Sequence, residues 1–494
     1  MHRFAGALVI VLAAFAVAAS ADDKPATPQA PARVETRHAI ALAKGRVEYR
    51  AIVEAITLTD AKGTPTAAVY TVSYLSEPAS GAARPVAFVF NGGPGAASVF
   101  LHLGALGPRI MDTPGDGSVP KPPYRLVDNP ASWLAFTDLV FVDPVGTGFS
   151  HGTGKEDNPN KPFWGVRADL DSLSAVVRRW LNRHERWGSP VYLVGESYGG
   201  YRAAAMAKAL TRNVGVTVSG MVLVSPALDT NLLHREISNL LAPAFALPSY
   251  AAAAAVAGKA IAPADSERVE RFALGEYLGG LAAVKGVPPP GDPFISRIVG
   301  MIGLPEDTVR RYRGRVPSNV FARELRREQG QIVSSYDAAV ARATPGNPWD
   351  DAAGDPVLDE AVAAYTAAFN IYAPESLGYR TESPYRVLPR EVSRQWNWDA
   401  AKEGEGGLGL AMSSLEAALL SQPATKVLIV HGRTDLVTPY LASRWLVDQL
   451  SVPAPVRARI QLRVYEGGHM MYMRPRSLAA LSADAAALFA APPP

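Results

Sequence analysis

A serine between glycines, Gly195-Glu196-Ser197-Tyr198-Gly199, follows a buried apolar run and precedes a helical stretch. In a strand–turn–helix setting this pattern describes a sharp, strained turn that lifts the serine oxygen clear of a sheet, near a helix N-terminus. Small residues two places to either side let strand and helix approach. A serine hydroxyl is a weak nucleophile until a base takes its proton, and the base needs a carboxylate to orient it. Two late strand-like runs end in these residue types. Val427–His431 leads into Gly432-Arg433-Thr434-Asp435, and Leu462–Tyr465 leads into Glu466-Gly467-Gly468-His469. Serine, acid, histidine, each after a strand, is a chain order in which triad chemistry is built. Ser197, Asp435 and His469 are therefore the expected nucleophile, orienting acid and base.

Plainer readings stand beside these. Asp435 could cap the helix expected near Tyr440, and His469 could be a core or capping histidine. Of the eight histidines, His431 is the rival base, but it precedes the proposed acid. His102 lies near a glycine-rich loop, where it could touch substrate or merely pack. That loop, Asn91-Gly92-Gly93-Pro94-Gly95, leaves a core strand and could present backbone amides to a developing oxyanion or be a simple turn. The usual donor pair is one loop amide and the amide after the serine, here Gly93 and Tyr198.

The elements that must hold these residues alternate in kind. Short apolar runs at Pro85–Asn91, Leu139–Asp143, Val191–Gly195 and Met221–Ser225 read as buried strands, after strands between His38 and about Tyr74. Leu170, Leu173, Val176, Val177 and Trp180 share one face of a helix over Arg167–Arg183. Tyr201–Leu210 reads as a helix. From Asn231 to about Arg390 the chain is Ala-rich, mostly helical and broken by prolines at 288–290 and 345–348. Alternation then resumes with strands at Lys426–His431 and Ile460–Tyr465 and helices at Tyr440–Leu450 and Arg476–Phe489. The expected architecture is an α/β-hydrolase fold, a mostly parallel sheet with helices on both faces, interrupted by a mainly helical insertion. In residue terms, 36–230 and 391–494 form the core and 231–390 the insertion.

Arg3, an apolar run from Phe4 to Ala19 and the small residues Ala19-Ser20-Ala21 read as a signal peptide over 1–21. A flexible Pro/Ala-rich leader is expected over 22–35. The chain contains no cysteine, which excludes thiol nucleophiles, cysteine-ligated zinc and iron–sulfur clusters. With an export signal, it suggests a bacterial periplasmic or otherwise exported protein. The net charge of +3 is too balanced to argue for nucleic acid or an anionic membrane surface. No spacing suggests a metal site and no dinucleotide fingerprint follows an early strand, so no cofactor is expected. No span is expected after the signal, and oligomeric state is not legible.

Five motifs together resemble the serine carboxypeptidase family over roughly residues 85–475. They are the Asn91–Gly95 loop, Asp143-Pro144-Val145-Gly146-Thr147-Gly148-Phe149-Ser150, Gly195–Gly200, Gly432–Asp435 and Gly467-Gly468-His469-Met470. Asn129 and Trp133 fit a further segment. The resemblance implies removal of C-terminal residues from peptides through an acyl-enzyme, often best at acidic pH, beneath a helical cap. It assigns Asn91 and a protonated Glu196 to the binding of the substrate's terminal carboxylate; Glu196 could also simply brace the turn. Three positions depart from the family pattern: Ala105 where a second Glu is usual, Val89 for a Trp and Ala96 for a Cys. Arg202 could supply a compensating charge. The alternative reading is an esterase or acyltransferase using the same triad without a required free carboxylate. A binding protein with an idle site is disfavoured by the intact triad residues.

Overall fold

The computed structural model describes residues 31–77, 84–233, 237–259, 266–344, 354–399 and 409–490. The signal-peptide run, most of the leader and the prolines at 345–348 lie outside these residues.

The central sheet has ten strands. Nine lie on one path: β1 (Arg33–Leu42), β2 (Gly45–Thr59), β3 (Pro65–Glu77), β4 (Val86–Phe90), β5 (Asp138–Val142), β6 (Val191–Glu196), β7 (Val218–Val224), β8 (Lys426–Gly432) and β9 (Ile460–Tyr465). Their spatial order is β1-β2-β3-β5-β4-β6-β7-β8-β9. The first three strands pair antiparallel with one another, and β3 pairs antiparallel with β5. From β5 across to β9 every pairing is parallel.

Parallel strands covered on both faces need apolar residues on both sides of the pleat, which explains the unbroken apolar runs. Alternate residues of one strand accordingly enter different cores. Ala87 and Val89 join a cluster on one face, and Val86, Phe88 and Phe90 join the cluster opposite. The second face is covered by α1 (Val166–Arg183) and α2 (Tyr198–Ala209). The first is covered by α4 (Leu358–Glu375) and α6 (Pro475–Ala490), numbered after α3 (Leu241–Val256) and α5 (Tyr440–Asp448).

Two expected boundaries move. The leader ends earlier than position 35, because Arg33–Glu35 already pair with Ile52–Glu54 in the β1–β2 ladder. The insertion 231–390 is not one unit. Residues from Ala244 to Ala338 build a third cluster with Leu436, Tyr440, Leu441 and Ala442, whereas Val357 to Val387 pack into the sheet's own core. The buried face of α4 (Ala361, Ala364, Ala368) belongs to this core, and Tyr372 Oη of the same helix meets Tyr74 Oη of β3 at 3.0 Å. Among the described residues no helix is long and apolar enough to cross a membrane.

Candidate active site

Ser197 sits between β6 and α2 with φ 59° and ψ −124°, a backbone state that L residues adopt only under constraint. The constraint is steric. A Cβ on Gly195 would lie 1.9 Å from the Gly199 carbonyl oxygen, and one on Gly200 would lie 2.5 Å from Pro226 Cβ. Strand and helix therefore meet at a separation only glycine allows. Ser197 is half-buried in a cleft that it shares with Gly92, Gly93, Glu196 and His469.

Asp435 and His469 follow the adjacent strands β8 and β9, and His469 Nδ1 lies 2.8 Å from Asp435 Oδ2. That contact leaves Nε2 as the nitrogen for the serine proton. Asp435 also caps the turn after it, since its Oδ1 accepts from the amides of Val437 (2.7 Å) and Thr438 (3.0 Å). The capping and triad readings thus describe one side chain with two oxygens. Burial opposes the Asp435 charge, but His469 and the Thr438 donors outweigh it and hold the carboxyl below its ordinary range. Burial would likewise lower His469, yet the Asp435 charge and hydrogen bond prevail and raise it.

Three residues that sequence reasoning does not reach complete this arrangement. Thr438 Oγ1 lies 2.7 Å from Asp435 Oδ2, 2.9 Å from the Ser225 carbonyl and 3.1 Å from His469 Nδ1. Its single proton satisfies one acceptor at a time. Ser225, at the end of β7 with φ 42°, donates from Oγ to the His469 carbonyl at 2.9 Å. The Tyr336 carbonyl accepts the His469 amide, and its ring meets the imidazole edge-on at 5.1 Å. Only the Asp435-x-x-Thr438 spacing carried a local signal; the other partners are distant in sequence.

The glycine-rich loop passes directly against the start of α2. A Cβ on Gly92 would lie 2.6 Å from the Tyr198 nitrogen, and Gly93 has φ +96°. Tyr198 N–H is in the first turn of its helix and has no intrahelical acceptor. The two amides proposed as oxyanion donors therefore belong to segments in contact.

Glu196 is buried beneath this cleft. Its Oε2 accepts from Asn91 Nδ2 at 2.6 Å and from Tyr472 Oη at 2.9 Å. The amide of Asn91 is oriented by Leu101 N–H, which donates to its Oδ1 at 3.0 Å. With both donors on Oε2, a proton on the neutral acid belongs on Oε1. Burial is the largest influence and pushes the carboxyl up to about 7 against the two hydrogen bonds and the nearby imidazole. The segment carrying Ala105 packs against phenols, because a Cβ on neighbouring Gly104 would lie 2.5 Å from Tyr365 Oη and 2.8 Å from Tyr472 Cε2. Ala105 itself offers its carbonyl to Asn129 Nδ2 at 2.8 Å.

Other candidates are placed elsewhere. His102 is fully buried, 2.6 Å from Tyr74 Oη and stacked on Phe141, and burial holds its pKa down to about 3. It packs and stays neutral. His431 Nε2 meets Ser443 Oγ at 2.9 Å, and burial holds it down to about 4. Arg202 is not a substrate contact: it is fully buried, its Nε donates to Asp169 Oδ2 at 2.7 Å and its Nη1 to the Asn91 carbonyl. A charge needing a buried partner cannot serve a ligand as well, so Arg202 does not supply the compensating charge. Among the described residues no group of three or more His, Asp or Glu side chains could hold a metal.

A mostly parallel sheet that sets a strained serine, an acid and a histidine in this order at strand ends defines an α/β-hydrolase with a serine-hydrolase constellation. Comparisons with known proteins are more particular. Residues 69–241 match the family model described as serine carboxypeptidase. Serine carboxypeptidase-like 36 of Arabidopsis thaliana is 27% identical over 157 residues, 31% of this chain and 30% of that protein. The pheromone-processing carboxypeptidase kex1 of Talaromyces marneffei is 25% identical over 378 residues, 73% of this chain and 50% of that protein. The chain thus spans 30% to 50% of the length of these relatives. The crystal structure of Kex1(Δ)p, a prohormone-processing carboxypeptidase from Saccharomyces cerevisiae, superposes with a TM-score of 0.54 at 15% identity, covering 89% of this chain and 91% of that one. That likeness establishes the α/β-hydrolase fold.

Proposed function

We propose that the protein is a serine carboxypeptidase that removes C-terminal residues from peptides. The observation that carries this reading is a buried, protonatable carboxyl, Glu196, beside the nucleophile and clamped by Asn91 and Tyr472 at one oxygen. A neutral acid donates a hydrogen bond to an incoming carboxylate without repelling it, whereas an ionised one repels it. The Glu196 Oε1 proton binds the terminal carboxylate and places the last peptide bond over Ser197. Ser197 Oγ attacks the carbonyl carbon as His469 Nε2 takes its proton, and Gly93 and Tyr198 N–H stabilise the oxyanion. His469 protonates the leaving amine, the C–N bond breaks and an acyl-enzyme remains. Water, deprotonated by His469, then releases the shortened peptide and restores Ser197.

The test compares N-blocked dipeptides with free, amidated and esterified C-termini from about pH 4 to 8, a range spanning Glu and His titration, with Ser197→Ala as control. Cleavage of the free acid, poor amide turnover and a silent mutant support the reading. Turnover of esters alone, with no advantage for a free carboxylate, replaces it by an esterase or acyltransferase. We further propose export to the periplasm or the medium. Support comes from the N-terminal Arg3–Ala21 pattern and the absence of cysteine. The relatives compared above come from a plant and fungi and do not bear on a bacterial origin. N-terminal sequencing of secreted protein beginning at Asp22 is the expected result; a retained Phe4–Ala19 run overturns it.

A further inference from the structure

An open cavity of about 290 Å³ lies between the cap and the loop that follows Asp435, outside the cleft that holds Ser197. One wall is that loop, through Leu436 and Val437; the facing wall is apolar, through Phe245 and Tyr250. The rim is cationic. Arg311, Arg313 and Arg315 all line the cavity, and no Asp or Glu does among the described residues. Arg311 is exposed, and Arg313 and Arg315 are half-buried. Arg315 gives Nη2 to the Leu281 carbonyl while its buried Nε has no partner there. Arg313, at φ 52°, ends the helix Glu306–Arg311, where Gly314 N–H donates to the Val309 carbonyl at 2.9 Å. Ile237, another lining residue, is 65% exposed at the mouth. Three guanidinia over an apolar floor at the junction of two substructures fit one kind of ligand.

We infer that this cavity binds an amphipathic carboxylate, with the anion on Arg311, Arg313 and Arg315 and the apolar body on Phe245, Tyr250 and Val437. Two sources share this chemistry: a free acyl-chain carboxylate acting as effector, and an acidic side chain upstream of the scissile bond in a bound peptide. Either reaches the triad by one link, since Val437 N–H donates to Asp435 Oδ1. A ligand seated on Val437 stiffens the loop that orients the base.

Calorimetry on full-length Ser197→Ala tests this without turnover, so its failure and that of the peptidase reading remain distinct. The probes are decanoate, decanol and N-acetylated tripeptides that differ only in Glu or Gln at the first position. Decanoate is expected to bind, decanol at least tenfold more weakly, and Arg313→Gln and the exposed Arg311→Gln are each expected to weaken decanoate at least tenfold. An arginine-dependent advantage for the Glu tripeptide with no decanoate binding assigns the site to the substrate's upstream acid. Absence of both, or binding indifferent to both substitutions in protein with an unchanged Tm, overturns the proposal.

Discussion

In the proposed mechanism Glu196 carries a proton to bind a substrate carboxylate, and His469 lacks one so as to take the proton of Ser197. Burial pushes Glu196 up to about 7, so carboxylate binding weakens as pH rises through that value. Asp435 raises His469 despite burial, so base function is lost as pH falls through a value above the ordinary imidazole. The two groups interact and titrate as a coupled pair. For free-acid peptides kcat/KM should therefore be bell-shaped near neutrality, and for matched esters the alkaline limb should be absent. Glu196→Gln, whose amide donates at every pH, should remove that limb for free acids; a limb that persists places the titration elsewhere. Tyr472→Phe deletes a donor to the carboxylate and should move the limb to higher pH, with esters unaffected. An unmoved limb would reduce Tyr472 to packing. At this scale the candidates Ser197, Asp435, His469 and Glu196 were legible because their motifs are local. Tyr472, Thr438 and Ser225 were not, because each acquires its role from a partner that only the fold brings near, as Tyr472 does with Glu196.

The elbow shows how elements enforce the strain at Ser197. Gly195 needs no special φ; what it lacks is the Cβ that would sit 1.9 Å from the Gly199 carbonyl. Gly195→Ala must push β6 and α2 apart or twist the turn. Overpacking of this kind costs about 1–3 kcal/mol and occasionally more. Chemical denaturation should show that loss, and a fluorophosphonate should label the folded fraction far more slowly. Normal labelling would mean that the turn tolerates a wider separation than the geometry states. The strands around this elbow were readable in the sequence, since a strand buried on both faces is a continuous apolar run. The helix α4 was assigned to the cap because an Ala-rich helix announces no partner. Its Ala361, Ala364 and Tyr365 would suit either core, and only the fold places them in the cluster that holds Ala87 and Val89. Arg202 misled for a related reason: its position beside the elbow suggested substrate, while its partner Asp169 on α1 is thirty-three residues away.

Across the whole molecule, the cap has its own apolar cluster, yet that cluster closes on residues of the catalytic half. Leu436, Tyr440, Leu441 and Ala442 pack with Phe245, Tyr250 and Phe321. Tyr440 Oη also donates to Glu270 Oε1 at 2.8 Å, and Arg444 pairs with the same carboxylate. Leu436 is thus a cap residue by packing and a neighbour of Asp435 by sequence. Leu436→Ala should cost about 2–5 kcal/mol, the usual range for a buried leucine truncated to alanine. Because the sheet keeps separate clusters on its two faces, the cost should fall on the cap as local opening rather than on the molecule as a unit. Hydrogen exchange should accelerate across α3 and around Phe321 while the amides of β6 and β7 stay protected. Turnover should fall as well, because the amide that follows Leu436 holds Asp435 Oδ1. Equal acceleration in β6 and α3 would show that cap and sheet open together, and the cap would then be a continuation of the core rather than a lid with a stability of its own.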